Sequence, residues 1–303
     1  MYVSRNDEPT TAHASAASSC GCSTQASPPS PAPAAEDARL HERLAQIDHK
    51  VVVLSGKGGV GKSTVAVNVA VALASQGFTV GLLDIDLHGP SVPLMLGLED
   101  AQPTNHEGAL VPLEFATNLK VMSIGFLLPS RSDPVIWRGP LKHSLIKQFL
   151  SDVEWGQLDY LIVDAPPGTG DEPLSVIQLL GNLDGALLVT TPQEVALSDV
   201  RKCVRFCGEV NCPVLGIIEN MSGLVCPHCG ETIDVFRRGG GASLARQMGV
   251  PFLGEIPLDP ALVRAADAGK PYMTAYANSA TAQAFRQAIK PLLAQAKQGG
   301  SQG

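Results

Sequence analysis

The chemistry of this chain starts in eight residues. Gly56-Lys57-Gly58-Gly59-Val60-Gly61-Lys62-Ser63 satisfies every position of G-x-x-x-x-G-K-[ST], a loop that cradles phosphates. The glycines let backbone N–H groups turn inward around phosphate oxygens, and a helix starting behind the loop adds a favourable dipole. Lys62 is expected to reach the β- and γ-phosphates and Ser63 to hold Mg2+, with Thr64 beside them. Residues of these types at this spacing bind a nucleoside triphosphate.

Two acidic strand ends supply the partners such a loop needs. Leu82-Leu83-Asp84-Ile85-Asp86 places two carboxylates two positions apart. Residues so spaced share a face of a strand, so both are expected at the phosphate mouth. Tyr160-Leu161-Ile162-Val163-Asp164 is an apolar strand closed by an acid, the magnesium partner expected of a phosphate loop. Gly168 and Gly170 leave the loop that follows, Asp164 to Asp171, free to move.

Seven cysteines stand at positions 20, 22, 203, 207, 212, 226 and 229. An odd count in a long chain argues against a disulfide framework. Cys226-Pro227-His228-Cys229-Gly230 is a C-x-x-C turn that aims two sulfurs at one metal. Two ligands alone do not hold a metal, and three accounts stand side by side. A twofold axis joins two copies into a four-thiolate site for a [4Fe–4S] cluster or zinc. The pair is a redox dithiol, although it lacks the usual place at a helix start. Or it is an unoccupied turn. His228 reads as a solvated loop residue. Cys203 and Cys207, four apart on one helix face, and Cys212, before a strand, read as small buried apolar residues. Cys20 and Cys22 fall in a low-complexity stretch.

The elements that must position these groups follow from the apolar pattern. Val51 to Leu54, Val80 to Leu83, Leu158 to Val163, Gly185 to Thr190 and Pro213 to Ile218 are short apolar runs. Helical stretches such as Ser63 to Ser75, Leu197 to Val210 and Ala242 to Met248 separate them. This alternation predicts a doubly wound α/β fold, a mainly parallel sheet flanked by helices. Ligands of such sheets bind beyond the carboxyl ends of the strands, which is where the polar motifs fall. The chain is expected to comprise a flexible Ser/Ala/Pro-rich tail over 1–38, a short helix from Arg39, one ATPase domain over 39–296 with a C-x-x-C insertion near 221–236, and a flexible end over 297–303.

Of 303 residues 45% are apolar and 17% charged, with a formal net charge of −7. That balance argues against nucleic-acid binding through a general basic surface. No run approaches the roughly 18 apolar residues of a membrane span, and the first residues show no apolar signal core. A cytoplasmic protein away from membranes is the expectation.

Residues 57–63 also fit K-G-G-x-G-K-[ST], and here the sequence resembles the deviant Walker A phosphate-loop ATPases of SIMIBI type. The resemblance implies that Lys57 reaches the nucleotide of a partner subunit, giving an ATP-sandwiched homodimer. It implies that Asp86 positions the attacking water, that Asp84 is an outer magnesium ligand, and that Asp164 to Asp171 is a switch loop sensing the γ-phosphate. It further implies that Asn220 bonds the adenine edge and that Pro257 lines the base pocket. For Asn220 a turn-capping role is the plain alternative.

Seven stretches extend the likeness from about Lys50 to Met273: SGKGGVGKST (55–64), LLDIDLHGPSVPLMLGL (82–98), VIWRGP (135–140), DYLIVDAPPGTGDEPLS (159–175), TPQEVALSDVRK (191–202), ENMSGLVCPHCG (219–230) and GVPFLGEIPLDP (249–260). Together they resemble the Mrp-type iron–sulfur cluster carrier ATPases. That resemblance implies a homodimer that hydrolyses ATP with Lys57, Lys62 and Asp86 as catalytic residues. It implies a labile [4Fe–4S] cluster bridged by Cys226 and Cys229 of both subunits. The cluster would pass to apo-proteins, with the cluster assembly machinery as a partner. The four-cysteine N-terminal motif of some relatives is not matched, since only Cys20 and Cys22 are present.

Other outputs fit the same loop. A positioning ATPase of the partition or division-site type, similar to ParA and MinD, leaves Cys226 and Cys229 unused. It would also need a basic nucleoid surface or a membrane-seeking amphipathic tail, and Phe285 to Lys297, interrupted by Pro291, reads instead as a closing helix. A zinc-stapled dimeric ATPase would use the same thiolates and carry nothing. An electron-donating reductase resembling the nitrogenase iron protein takes its cysteines from separate segments. Trp137-Arg138-Gly139-Pro140 has no assigned role.

Overall fold

A computed structural model describes residues 33–127, 139–226 and 228–299 of the chain. Helix α1 (Pro33–Ala45) leads into β1 (Ile47–Ser55), and the phosphate loop then turns into α2 (Lys62–Ala74) and β2 (Val80–Asp84). After α3 (Val92–Met95) come a small hairpin, β3 (Thr104–His106) and β4 (Ala109–Val111), then β5 (Leu113–Ala116) and β6 (Leu119–Ser123). The alternation continues through α4 (Gly139–Asp152), β7 (Leu158–Asp164), α5 (Asp171–Leu180), β8 (Gly185–Thr190), α6 (Glu194–Glu209) and β9 (Val214–Asn220). A second hairpin, β10 (Leu224–Val225) with β11 (Thr232–Ile233), precedes α7 (Gly240–Met248) and β12 (Phe252–Ile256). Helices α8 (Pro260–Asp267), α9 (Tyr272–Ala275), α10 (Ala280–Ala288) and α11 (Lys290–Gly299) follow.

Eight strands make one sheet in the order β12-β9-β8-β1-β7-β2-β6-β5. All neighbours run parallel except β5, which pairs antiparallel with β6 at the edge. The central strands are near-continuous Val, Leu and Ile because both faces are covered. Alternate side chains divide between two cores. Val51, Val53, Leu82 and Ile162 pack with α2 and Phe285 of α10 on one face. Val52, Leu54, Leu83, Leu161 and Val163 pack with Phe149 of α4, Val176 of α5 and Val200 of α6 on the other. Helix α2 is apolar all round, and Val65 to Leu73 are all buried, as such a helix must be. Strand β1 lies between β8 and β7, so the chain leaves it in one direction and returns on its other side. This is the switch point at which doubly wound sheets open a ligand crevice.

The boundaries differ from expectation at both ends. Residues 33–38, expected in the tail, already belong to α1. Lys147 of α4 lies 3.4 Å from Glu36 and 2.8 Å from Asp37, which holds this first stretch in place. Pro33 and an acidic first turn also suit a helix start. Residues 297–299, expected to be a flexible end, are the last of α11. The interruption expected at Pro291 is present: α10 ends at Ala288, and α11 starts at Lys290 with Pro291 as its second residue, where a missing N–H is harmless. Strands β3 to β6 escape the sequence pattern because they are three to five residues long, and β3 to β5 carry no buried side chain. Residues 1–32, with Cys20 and Cys22, lie outside the described residues, as do Trp137, Arg138, Pro227 and residues 300–303. Among the described residues no helix is long and apolar enough to cross a membrane.

Candidate nucleotide site and cysteine hairpin

The loop Gly56 to Gly61 spans the gap between the end of β1 and the start of α2. Gly61 is the helix N-cap, with φ +83° and no side-chain cap, which leaves the first N–H groups of α2 without intrahelical partners. A Cβ at Gly61 would come within 2.2 Å of the Asn220 amide nitrogen, and one at Gly56 within 2.5 Å of the Asp199 backbone. The loop is therefore glycine-rich on its protein side as well as toward a ligand. Asn220 Nδ2 donates to Val60 O at 2.9 Å, and Ser55 Oγ donates to Lys57 O at 3.0 Å. A cleft of about 240 Å3 opens over the loop, lined among others by Gly59, Lys62, Ser63, Thr64, Asp86 and Pro167.

Lys62 is almost completely buried and faces two acids. Its Nζ lies 2.6 Å from Asp164 Oδ1 and 3.3 Å from Asp86 Oδ2. Burial disfavours its charge, yet Asp164 and Asp86 outweigh burial and hold its pKa above the ordinary value. Asp164 is fully buried, and burial pushes its carboxyl up against the pull of Lys62. Its second oxygen, Oδ2, has no hydrogen-bonding partner among the described residues.

Asp84 behaves differently. Its Oδ1 accepts from Asp86 N (3.1 Å), and its Oδ2 accepts from Val92 N (3.2 Å) and Ser123 Oγ (3.0 Å). Burial, then the neighbouring Asp164 charge, pushes Asp84 up to about 7. The shared-face expectation for Asp84 and Asp86 does not hold, because β2 ends at Asp84. Asp86 instead reaches Lys62 from the loop that Asp84 braces.

The segment after β7 is tied to the phosphate strand. Gly168 N donates to Ser55 O at 2.8 Å, and Gly168 adopts φ +97°. In the first turn of α5, Glu172 accepts from Lys142 of α4, and His88 Nε2 lies 3.1 Å away. Burial raises the Glu172 pKa, but Lys142 and His88 more than offset it and hold it below the ordinary value. The loop after Asp86 and the helix after Asp164 are thus linked.

The cysteine pair sits in the hairpin between β9 and α7. Leu224 pairs with Ile233 and Val225 with Thr232. Cys226 N donates to Glu231 O (2.8 Å) and Gly230 N to Cys226 O (2.9 Å), closing a tight turn. Cys226 is half-buried, while His228 and Cys229 are exposed. The N–H groups of Cys229 and His228, then the Cys229 thiol, point at the Cys226 sulfur and hold its pKa below the ordinary thiol value. Val225, Ile233 and Val235 expose about half of their surface around it. Among the described residues no group of three or more His, Cys, Asp or Glu side chains is arranged to hold a metal ion.

The other cysteines among the described residues are core residues, as expected. Cys203, Cys207 and Cys212 are buried, and burial pushes Cys203 up to about 12. Pro257 follows β12 half-buried, and the next residue donates from Leu258 N to Gly223 O at 2.8 Å, at the base of the hairpin. Two acids were not singled out from the sequence, Glu172 and Glu219. Glu219 left a signal: it is an acid inside the otherwise apolar run Val214-Leu215-Gly216-Ile217-Ile218 that ends at Asn220. Glu172 left none, since its partners lie 30 and 84 positions away.

A family model described as ParA-type NUBPL iron-transfer P-loop NTPase matches residues 46–293. An iron–sulfur cluster carrier protein of Methanocaldococcus jannaschii is 53% identical over 238 residues, 78% of this chain and 82% of that protein. The cytosolic Fe–S cluster assembly factor CFD1 of Eremothecium gossypii is 49% identical over 265 residues, 84% and 94% of the two chains. A nucleotide-binding protein of Archaeoglobus fulgidus, solved in complex with ADP, superposes with a TM-score of 0.69 at 42% identity, covering 77% of this chain and 91% of its own. The cell division ATPase MinD of Pyrococcus furiosus gives a TM-score of 0.59 at 25% identity, covering 82% and 99%.

Proposed function

The chain belongs to the ParA-type family of NUBPL iron-transfer P-loop NTPases, and on that footing we propose that it is an ATP-driven carrier of iron–sulfur clusters. One observation carries the reading. An exposed C-x-x-C hairpin is inserted directly after β9, and the last residue of β9, Asn220, is hydrogen-bonded to the phosphate loop. A positioning ATPase has no use for that hairpin.

In this reading Gly56 to Thr64 and Asn220 bind ATP, with Pro257 at the edge of the base site. The donor set fits Mg2+: Asp164 Oδ2 is a buried carboxylate oxygen without a partner among the described residues, at the end of the strand beside the loop, and Ser63 is the hydroxyl the motif supplies. Asp164 and Ser63 would hold the ion, with Asp84 behind them, and the ion would neutralise charge on the β- and γ-phosphates. Lys62 would exchange its contacts with Asp164 and Asp86 for phosphate oxygens. Asp86, released from Lys62, would orient the attacking water and accept its proton as the β–γ bond breaks. The loop 164–171, bonded to Ser55 through Gly168, would report that change to α5.

The cargo would be held by thiolates. Cys226 and Cys229 supply two ligands, half of the set a [4Fe–4S] cluster takes, and a second copy supplies the rest. Lys57, half-buried in the loop, would reach the partner's nucleotide, so that ATP draws two copies together. An exposed, bridging cluster is accessible to an apo-protein acceptor. We place the protein in the cytoplasm, where free thiols persist.

The test is iron, zinc and acid-labile sulfide per dimer, on protein purified without oxygen and after reconstitution, beside Cys226→Ala and Cys229→Ala. About four irons and four sulfides per dimer, lost in both variants, is the expected result. Zinc alone, or iron indifferent to both cysteines, would remove the carrier function and leave a dimeric ATPase.

A further inference from the structure

The end of β9 carries two polar side chains in succession, and they serve different parts of the molecule. Asn220 bonds to the phosphate loop at Val60 O. Glu219, with no exposed surface, turns to the cysteine hairpin. Its Oε1 accepts from Ser222 Oγ at 2.6 Å and from Gly239 N at 3.0 Å, and its Oε2 accepts from Gly241 N at 2.5 Å. Ser222 stands where the hairpin leaves the sheet, and Gly239 and Gly241 stand where it returns. One buried carboxyl therefore grips both ends of the segment that carries Cys226 and Cys229.

The surroundings leave this grip little slack. A Cβ at Gly241 would lie 3.0 Å from Glu219 Oε2. Ser222 N donates to Ile256 O (3.0 Å), and Arg238 Nη2 donates to Glu255 Oε2 (3.0 Å), so the same base is pinned to β12. The hairpin itself contributes only the two-residue strands β10 and β11, too short to hold a geometry alone. Burying a carboxyl in the sheet carries a desolvation penalty that an apolar residue would avoid, and three donors converge here to offset it.

We propose that Glu219 is a positioning residue for the cysteine pair. It clamps both ends of the hairpin to β9, and through the adjoining Asn220 it couples the cysteines to the phosphate loop. This rests on the reading of Cys226 and Cys229 as the cargo-holding pair. Nucleotide that shifts the loop at Val60 moves the end of β9, and Glu219 transmits that movement to the hairpin base.

The experiment uses the whole chain, reduced and free of cluster. The rates at which iodoacetamide alkylates Cys226 and Cys229 are read by mass spectrometry, with and without ADP and Mg2+. Glu219→Gln preserves shape but turns an amide NH2 toward backbone N–H donors, so at least one of the three bonds is lost. In the wild type the rates are expected to change on adding nucleotide. In Glu219→Gln they rise about tenfold and no longer respond. Ser222→Ala, which removes one bond from the same carboxyl, falls between the two. A rise in Tm with ADP establishes that each variant is folded and binds nucleotide. Should Glu219→Gln not fold, Ser222→Ala carries the comparison. Wild-type rates in the folded variants, or wild-type cysteines indifferent to ADP, would overturn the proposal. Iron and sulfide loading of the wild type is measured separately. Its failure would sink the carrier reading and leave these rates standing.

Discussion

Asp84 and Asp164 are register partners at the carboxyl ends of neighbouring parallel strands, both fully buried, yet their oxygens are spent in opposite ways. Asp84 gives both oxygens to protein donors, two of them the backbone N–H groups of Asp86 and Val92. Asp164 gives one to Lys62, and the other has no hydrogen-bonding partner among the described residues. Two acids with the same strand-end signature therefore have separate surroundings, one bracing a loop and one, in the proposed function, facing the phosphates. Asp164→Asn is expected to lower magnesium-dependent ATP hydrolysis about 100-fold or more. Asp84→Asn should lower Tm as well, because one amide oxygen cannot accept from the N–H groups of Asp86 and Val92 on both sides. Equal kinetic loss with unchanged Tm in both variants would contradict this division.

Lys62 is one cation shared by two buried acids, Asp86 and Asp164. Lys62→Met leaves Asp86 and Asp164 together without a cation, at a cost of about 3–5 kcal/mol in urea unfolding. Adding Asp164→Asn should restore a large part of that loss, a non-additivity expected of residues in contact. Additive losses would mean that the pair contributes nothing in the nucleotide-free protein.

Gly61 is constrained from the protein side. Gly61→Ala has to hold φ near +83° and to seat a Cβ 2.2 Å from the Asn220 amide. Asn220 must leave Val60 O or the loop must shift. ADP affinity, measured calorimetrically, is expected to fall at least about tenfold. An unchanged affinity would show that the loop re-forms around its ligand whatever Asn220 does.

Tyr160 ties the sheet to the last helix by donating to Leu292 O at 2.7 Å. Tyr160→Phe should cost about 1 kcal/mol at neutral pH. Burial, then the charges of Asp184 and Asp159, pushes the Tyr160 phenol from 10.0 up to about 12. The folded chain therefore keeps this proton in a range where the unfolded chain has lost it. Stability falls as pH rises from about 10 to about 12 in the wild type, and the variant lacks that slope. The two unfolding curves should converge in alkali. Parallel curves would show that Tyr160 titrates alike in both states.

By itself the sequence determined the alternation of apolar runs, the phosphate loop, the acid after each of two strands, the C-x-x-C turn and the family likeness. Each is written in consecutive residues, where spacing alone specifies local geometry. Only the tertiary structure decided the rest. Asp84 and Asp86 look equivalent in sequence, but the strand stops between them, and the fold gives one to backbone donors and the other to Lys62. The tail boundary at 38 gave way because Glu36 and Asp37 find Lys147, more than 100 positions away along the chain. Glu219 acquires two of its three donors, Gly239 N and Gly241 N, only when β9 and the start of α7 meet. The pairings of Lys62 with Asp164, of Lys147 with Glu36 and Asp37, and of Glu219 with Gly239 and Gly241 are distant in the chain, and a hydrogen bond or ion pair is set by distance in space, which local sequence does not encode.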